Sequence, residues 1–255
     1  MPCRTRHEPS DVSQCAHPRR GATPSPHRRN VRTVLRMGHD EIERPGAQEW
    51  VPAEGGLDEL RMAAASCRGC ELWRDATQVV FSRGRDSASM MLVGEQPGDR
   101  EDVEGEPFVG PAGRVLADAV DAAGIPRDHV YVTNAVKHFR FERRGKRRIH
   151  EKPAVAHIVA CHPWLEAEFE AVDPDVIVAL GATAARAVLG RTVRIGQVRG
   201  RVLPPDPAAP PTALPAPTVV TTHPSALLRI EDAADREAAF RLLVDDLRTA
   251  ASVAL

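Results

Sequence analysis

Four short apolar runs set what this chain can become: "SMMLVG" (89–94), "HVYVTNAV" (129–136), "DVIVALG" (175–181) and "TVVTTH" (218–223). Their hydrophobic residues run continuously instead of alternating, which is the pattern of strands covered on both faces. Helical spacing fills the intervals, over 111–124, 153–171 and 181–190, and a further segment over 231–250 closes the chain. Strand and helix in repetition predict an α/β fold with a parallel sheet and helices on both sides. Ligands of such sheets bind at the carboxyl ends of the strands. Four motifs fall there: "GEQPGD" (94–99), "TNAVKH" (133–138), "GATAA" (181–185) and "HPSALLR" (223–229). The third reads as a tight strand-to-helix turn; the other three carry polar groups suited to chemistry.

A chain of 255 residues holds one α/β domain with a full core, or two small domains. Residues 1–50 are rich in Arg, Pro, His and Gly, with almost no hydrophobic pattern. They are predicted to be a disordered extension, with Met37 as an alternative start and Cys3 and Cys15 as bystanders. The domain is placed at 51–255, with order beginning near Leu57, where "LDELRMAAASCRGC" takes helical spacing up to a cysteine pair. "RVLPPDPAAPPTALPAPT" (201–218) reads as an extended surface loop. No run of about 18 apolar residues predicts a membrane span. The N-terminus lacks the apolar segment of a secretory signal, so a cytoplasmic protein is expected.

The net charge of -1 confines any nucleic-acid surface to a local cluster. One exists between 140 and 152, where Arg140, Arg143, Arg144, Lys146, Arg147, Arg148 and Lys152 outnumber Glu142 and Glu151 by five charges. The same stretch suits a solvated loop or a phosphate-binding one, and His150 sits inside it. The pair Cys67 and Cys70, in a chain without an export signal, favours a metal or redox role over a disulfide. The glycines of 94–113 match neither a dinucleotide nor a P-loop fingerprint. That segment instead offers exposed amides, the acids Glu95 and Asp99, Gln96, and Phe108 as a core anchor or a stacking platform for a base. Asn134 is suited to capping the next segment or to reading a pyrimidine edge, since its amide donates and accepts together. His223 is suited to polarising a leaving group, and Ser225 to capping a helix.

Taken in order, "GEQPG…GEPFVGPAGRVL", "YVTNAVKH", "ACHPWL", "VIVALGATAARAVLG" and "HPSALLR" make residues 57–250 resemble the uracil-DNA glycosylase superfamily, in particular its iron–sulfur family 4. The resemblance implies a three-layer α/β/α sandwich around a four-stranded parallel sheet that flips deoxyuridine out of DNA and cleaves its N-glycosidic bond. Two departures from family 4, Gln96 in "GEQPG" and the basic insertion ending "KRRIH", are marks of the X-type uracil-DNA glycosylases. In that subgroup the histidine ending the insertion, here His150, is the nucleophile and becomes covalently attached to the sugar.

The resemblance also implies a [4Fe–4S] cluster. Cys67, Cys70 and Cys161 match three cysteine ligands, and His138 stands where the remaining one is expected, giving a Cys3His set. Zinc suits such a set too, and His157 or His162 are competing ligands. On the same basis Phe108 stacks on the flipped uracil and Asn134 reads it, with Ser225 beside them. His223 and the amides near Gln96 steady the uracil anion, and Glu95 orients His150 or takes its proton. Asp99 holds the sugar or a water, and Lys146, Arg147 and Arg148 hold phosphates. The expected partner is uracil-containing DNA, single-stranded or flipped from a duplex, and the expected state a monomer. The rivals are an ordinary multiple-turnover family 4 glycosylase and a non-enzymatic DNA-binding module with a structural metal.

Overall fold

The computed structural model describes residues 44–254. The disorder expected further upstream, Met37, Cys3 and Cys15 lie outside them. Among the described residues eight strands occur: β1 Ser82–Arg83, β2 Met90–Gly94, β3 Val130–Asn134, β4 Phe141–Arg144, β5 Arg147–His150, β6 Val176–Leu180, β7 Val202–Leu203 and β8 Thr218–Thr221. The α-helices are α1 Leu57–Ala64, α2 Asp99–Glu104, α3 Pro111–Ala123, α4 Val155–Val172, α5 Ala182–Leu189, α6 Ile195–Val198, α7 Pro224–Leu227 and α8 Ala233–Ala254.

The four apolar runs become β2, β3, β6 and β8, which are parallel neighbours in the order β3-β2-β6-β8. Two-residue antiparallel strands, β1 and β7, extend the sheet at its edges to six. Such edge strands are too short to carry a hydrophobic pattern of their own, which is why the expected four became six. Successive residues of each run point to opposite faces. Met91, Val93, Tyr131, Ile177 and Val220 pack under α1, α4 and α5. Met90, Leu92, Val132, Val178 and Val219 pack under α3 and α8. Both faces are thus dry, and the molecule has three layers.

Order begins before Leu57. The Ala47 amide donates to the Ala160 carbonyl (2.7 Å) and the Gly46 amide to the Gly69 carbonyl (3.0 Å), tying this segment to α4 and the cysteine turn. Gly69 has to be glycine, because a Cβ there would lie 2.8 Å from the Gly46 carbonyl oxygen. The Pro-rich segment is also less detached than an extended surface loop. It holds β7, its Leu214 amide donates to the Val188 carbonyl (2.9 Å), and Leu214 and Ala216 enter the core.

The basic insertion folds as a separate hairpin, β4 against β5, with Phe141 opposite His150 and Arg144 opposite Arg147. Its two-residue turn starts at Gly145, whose φ of 60° is the left-handed geometry tight hairpins require. The hairpin leaves the sheet just after β3 and returns just before α4, so His150 stands at its root.

Candidate active site

A cleft of about 610 Å³ opens at the carboxyl ends of β2, β3, β6 and β8. It brings together Glu95, Gln96, Phe108, Asn134, His150, Thr183, His223 and Ser225.

Asn134 ends β3 and is buried. Its Oδ1 has no hydrogen-bond partner among the described residues. An orphaned buried carbonyl costs about 1–3 kcal/mol, so it marks a seat for a donor from outside. Phe108 lies beside it in the left-handed region, φ 58°, a conformation that persists only when its surroundings impose it. Gly113 makes room for that turn, since a Cβ there would lie 1.6 Å from the Phe108 oxygen. Gly94 makes room for Asn134 and Phe108, since its Cβ would lie 2.3 Å from Asn134 Oδ1 and 2.6 Å from Phe108 Cζ. Glu101 ties the two ends of this loop, accepting from the amides of Gly98 (3.1 Å) and Gly110 (2.8 Å).

His223 faces Phe108 in a stacked arrangement, 6.1 Å between ring centroids. Its Nδ1 accepts from the Ser225 amide (3.2 Å) and lies 2.8 Å from Ser225 Oγ. The helix cap of α7 is therefore His223, not Ser225. Accepting at Nδ1 leaves the proton of the neutral ring on Nε2. Burial pushes the His223 pKa down to about 4, against the opposing pull of Glu95. At neutral pH the ring is an uncharged donor, the form suited to steadying a developing anion.

His150 is exposed, with Nε2 3.5 Å from Glu95 Oε1. The other Glu95 oxygen, Oε2, accepts from the Thr183 hydroxyl. Thr183 was not anticipated; "GATAA" reads as packing, and its one hydroxyl was the only available signal.

Three expected roles change. The Gln96 side chain is not free for chemistry. Its Nε2 donates to the carbonyls of Arg140 (3.1 Å) and Glu151 (3.1 Å), and its Oε1 accepts from the Arg140 amide (3.2 Å). It clasps both strands of the hairpin at the root. Arg148 is not a free phosphate ligand, because it donates from Nε to Asp99 Oδ1 (2.6 Å) and from a terminal nitrogen to Asp102. It also lies over the rings of Phe139 and Phe141. Asp99 is correspondingly engaged with Arg148 and does not line the cleft. Lys146 and Arg147, at the tip, are exposed. Replacing Gln96 by alanine should loosen the hairpin without unfolding the domain. Hydrogen exchange at the Arg140 and Glu151 amides should accelerate on the order of tenfold, and unchanged exchange would show that the clasp is dispensable.

Behind Asn134 lies a buried network the sequence did not announce. Lys137 pairs with Glu168, both fully buried. The Lys137 ammonium also donates to Thr133 Oγ1 (2.6 Å) and the Asn134 carbonyl (2.9 Å). Tyr131 and Thr133 donate to the same Glu168 oxygen (2.9 and 2.8 Å).

Cys67, Cys70, Cys161 and His138 are all buried, and the thiols form no disulfide. Each of two sulfurs gathers N–H donors: Cys67 Sγ from Trp164 Nε1 (3.3 Å) and the Gly69 amide (3.5 Å), Cys161 Sγ from the Lys137 amide (3.3 Å). Burial pushes the thiols of Cys70 and Cys161 up to about 11 and about 12, and the His138 pKa down to about 4. Among the described residues no three such side chains converge on one ion-sized point. His157 is not a competing ligand, because its Nδ1 accepts from the Ala154 amide (3.0 Å) and its Nε2 lies 2.8 Å from Glu71. His162 turns to Glu166, 3.3 Å away.

The model of the Uracil DNA glycosylase superfamily matches residues 81–248. The chain belongs to the uracil-DNA glycosylase superfamily. This superfamily member is 37% identical over 187 residues to a type-4 uracil-DNA glycosylase of Thermotoga maritima, covering 73% of this chain and 88% of that protein. It is 34% identical over 150 residues to a type-4 uracil-DNA glycosylase of Sulfurisphaera tokodaii, covering 57% of this chain and 65% of that one. A type-4 uracil-DNA glycosylase of Archaeoglobus fulgidus is 35% identical, with 57% and 72% covered. The match to the family model runs from β1 into α8 and includes every residue of the cleft named above.

Proposed function

We propose that this DNA N-glycosylase excises uracil from DNA and then holds the product covalently through His150. The observation that carries the excision is the Oδ1 of Asn134, unpartnered among the described residues; it would accept the N3–H of a flipped uracil while its amide nitrogen donates to the adjacent carbonyl. Phe108 supplies the stacking face. As the C1′–N1 bond breaks, its electron pair passes to uracil, and the neutral His223 donates from Nε2 to the oxygen that gains charge. The observation that supports capture is the position of His150 in the same cleft, beside Glu95. An imidazole lone pair forms a bond to C1′ as uracil departs. The ring's remaining N–H proton then passes to Glu95, leaving a neutral alkylimidazole, a poor leaving group. Lys146 and Arg147 at the hairpin tip supply charge for phosphates.

A second reading, ordinary turnover with water as the nucleophile, is favoured by the type-4 names of the relatives and by the exposure of His150. A uracil-containing oligonucleotide run on a denaturing gel separates the two. A protein–DNA band that survives heating in detergent supports capture, and free abasic product supports turnover.

The donor set around Cys67, Cys70, His138 and Cys161 fits the [4Fe–4S] cluster expected of this family. It offers three sulfurs, of which Cys67 accepts from two N–H donors and Cys161 from one, contacts that stabilise thiolate charge, and a neutral imidazole. These residues would hold it, and its chemistry there would be structural, cross-linking the segments on either side of the hairpin. Protein purified without oxygen is expected to be brown and to contain iron and inorganic sulfide, with Cys161→Ser losing both. Zinc in place of iron would overturn the assignment.

A further inference from the structure

We infer that Thr183 is a positioning residue for the capture step, holding Glu95 in the orientation that receives the proton of His150. The inference rests on the capture reading above. Thr183 is buried in the first turn of α5. Its hydroxyl donates to Glu95 Oε2. The carboxylate is thereby fixed about its last torsion, and Oε1 is the oxygen turned toward His150. Gly181 sets the approach. Its φ of 92° turns the chain from β6 into α5, and a Cβ there would lie 3.0 Å from the Cβ of His223. One strand-to-helix turn therefore packs against the leaving-group histidine and orders the acceptor for the nucleophilic one.

The step balances as follows. The ring nitrogen–C1′ bond forms, the C1′–N1 bond breaks with its electrons on uracil, and the imidazolium proton moves to Glu95 Oε1. With Oε2 occupied by the Thr183 hydroxyl, Oε1 is the carboxylate oxygen left to receive the proton. Other titratable groups share the cleft: His150 and Lys152 from the hairpin side, His223 and Arg229 around α7, and Glu101 from α2. None of them touches Oε2.

The test is the single-turnover rate of denaturant-stable complex formation for wild type, Thr183→Val and Thr183→Ser. Thr183→Val should capture on the order of tenfold more slowly, as expected for one lost charge-assisted hydrogen bond. Thr183→Ser, which keeps the hydroxyl, should restore the rate. A Thr183→Val rate equal to wild type overturns the inference. Because valine at a buried site can disturb packing, the cycle with Glu95→Gln supplies the second measurement. Thr183→Val must slow capture when Glu95 is present and leave the Glu95→Gln rate unchanged, and equal slowing in both backgrounds overturns the inference. Wild-type protein that releases uracil but forms no complex fails the capture reading itself, a result seen before any Thr183 variant is compared.

Discussion

His150→Ser is expected to abolish the heat- and detergent-stable DNA complex completely while leaving the fold intact. The side chain is exposed at the root of the hairpin and makes no hydrogen bond among the described residues beyond its 3.5 Å approach to Glu95, so its loss removes chemistry and not structure. Serine is a poor nucleophile without an adjacent base of suitable geometry. It leaves space beside Glu95 that a water can occupy, and Glu95 can then activate that water as a general base. The variant is expected to release uracil over many turnovers and to leave abasic DNA. A His150→Ser protein that still shifts the band on a denaturing gel would move the covalent bond to another residue, and a variant that neither captures nor releases uracil would make His150 part of the excision step.

Lys137→Met is expected to destabilise the domain by about 3–5 kcal/mol, the cost of leaving a buried carboxylate without its counter-charge. Lys137 and Glu168 are both fully buried, so no water reaches Glu168 when the ammonium is gone. The companion double variant, Lys137→Met with Glu168→Leu, should recover most of that loss, since an apolar pair of similar volume removes both desolvation terms together. Denaturant unfolding of wild type, single and double variants measures this directly. A single variant as stable as wild type would mean that the pair does not bear on folding. The double variant also frees the Asn134 carbonyl from its Lys137 donor, so it should fold well and yet bind uracil-containing DNA less tightly.

The layered α/β core was legible because each central strand is buried on both faces and so spells itself as an unbroken apolar run. The carboxyl-end motifs were legible for the same reason, since strand ends locate the cleft. The hairpin was not. "FERR" and "RRIH" show no alternation, because neither face packs on a core; their geometry is imposed by Gln96, Arg148 and the paired rings of Phe139 and Phe141. For the same reason Arg148 and Lys146 look alike in sequence, while one is locked onto Asp99 and Asp102 and the other is exposed. Helix α2, "DREDVE", was missed because its buried residues, Glu101 and Asp102, are polar. Lys137 and Glu168 lie on different elements, and no local pattern foretells their pairing. Gln96 was legible as a departure from the family pattern, but its purpose became visible only with the carbonyls it binds.

The clasp at Gln96 gives the hairpin the mechanics of an arm fixed at the shoulder. Displacement of such an arm grows with distance from its pivot, but Arg148 adds a second anchor on Asp99 and Asp102, so free travel is left only to the tip, with Lys146 and Arg147. His150 stands at the root and the exposed cations at the tip. If the hairpin meets DNA as proposed, the tip cations would adjust to the phosphates without moving the imidazole at the root.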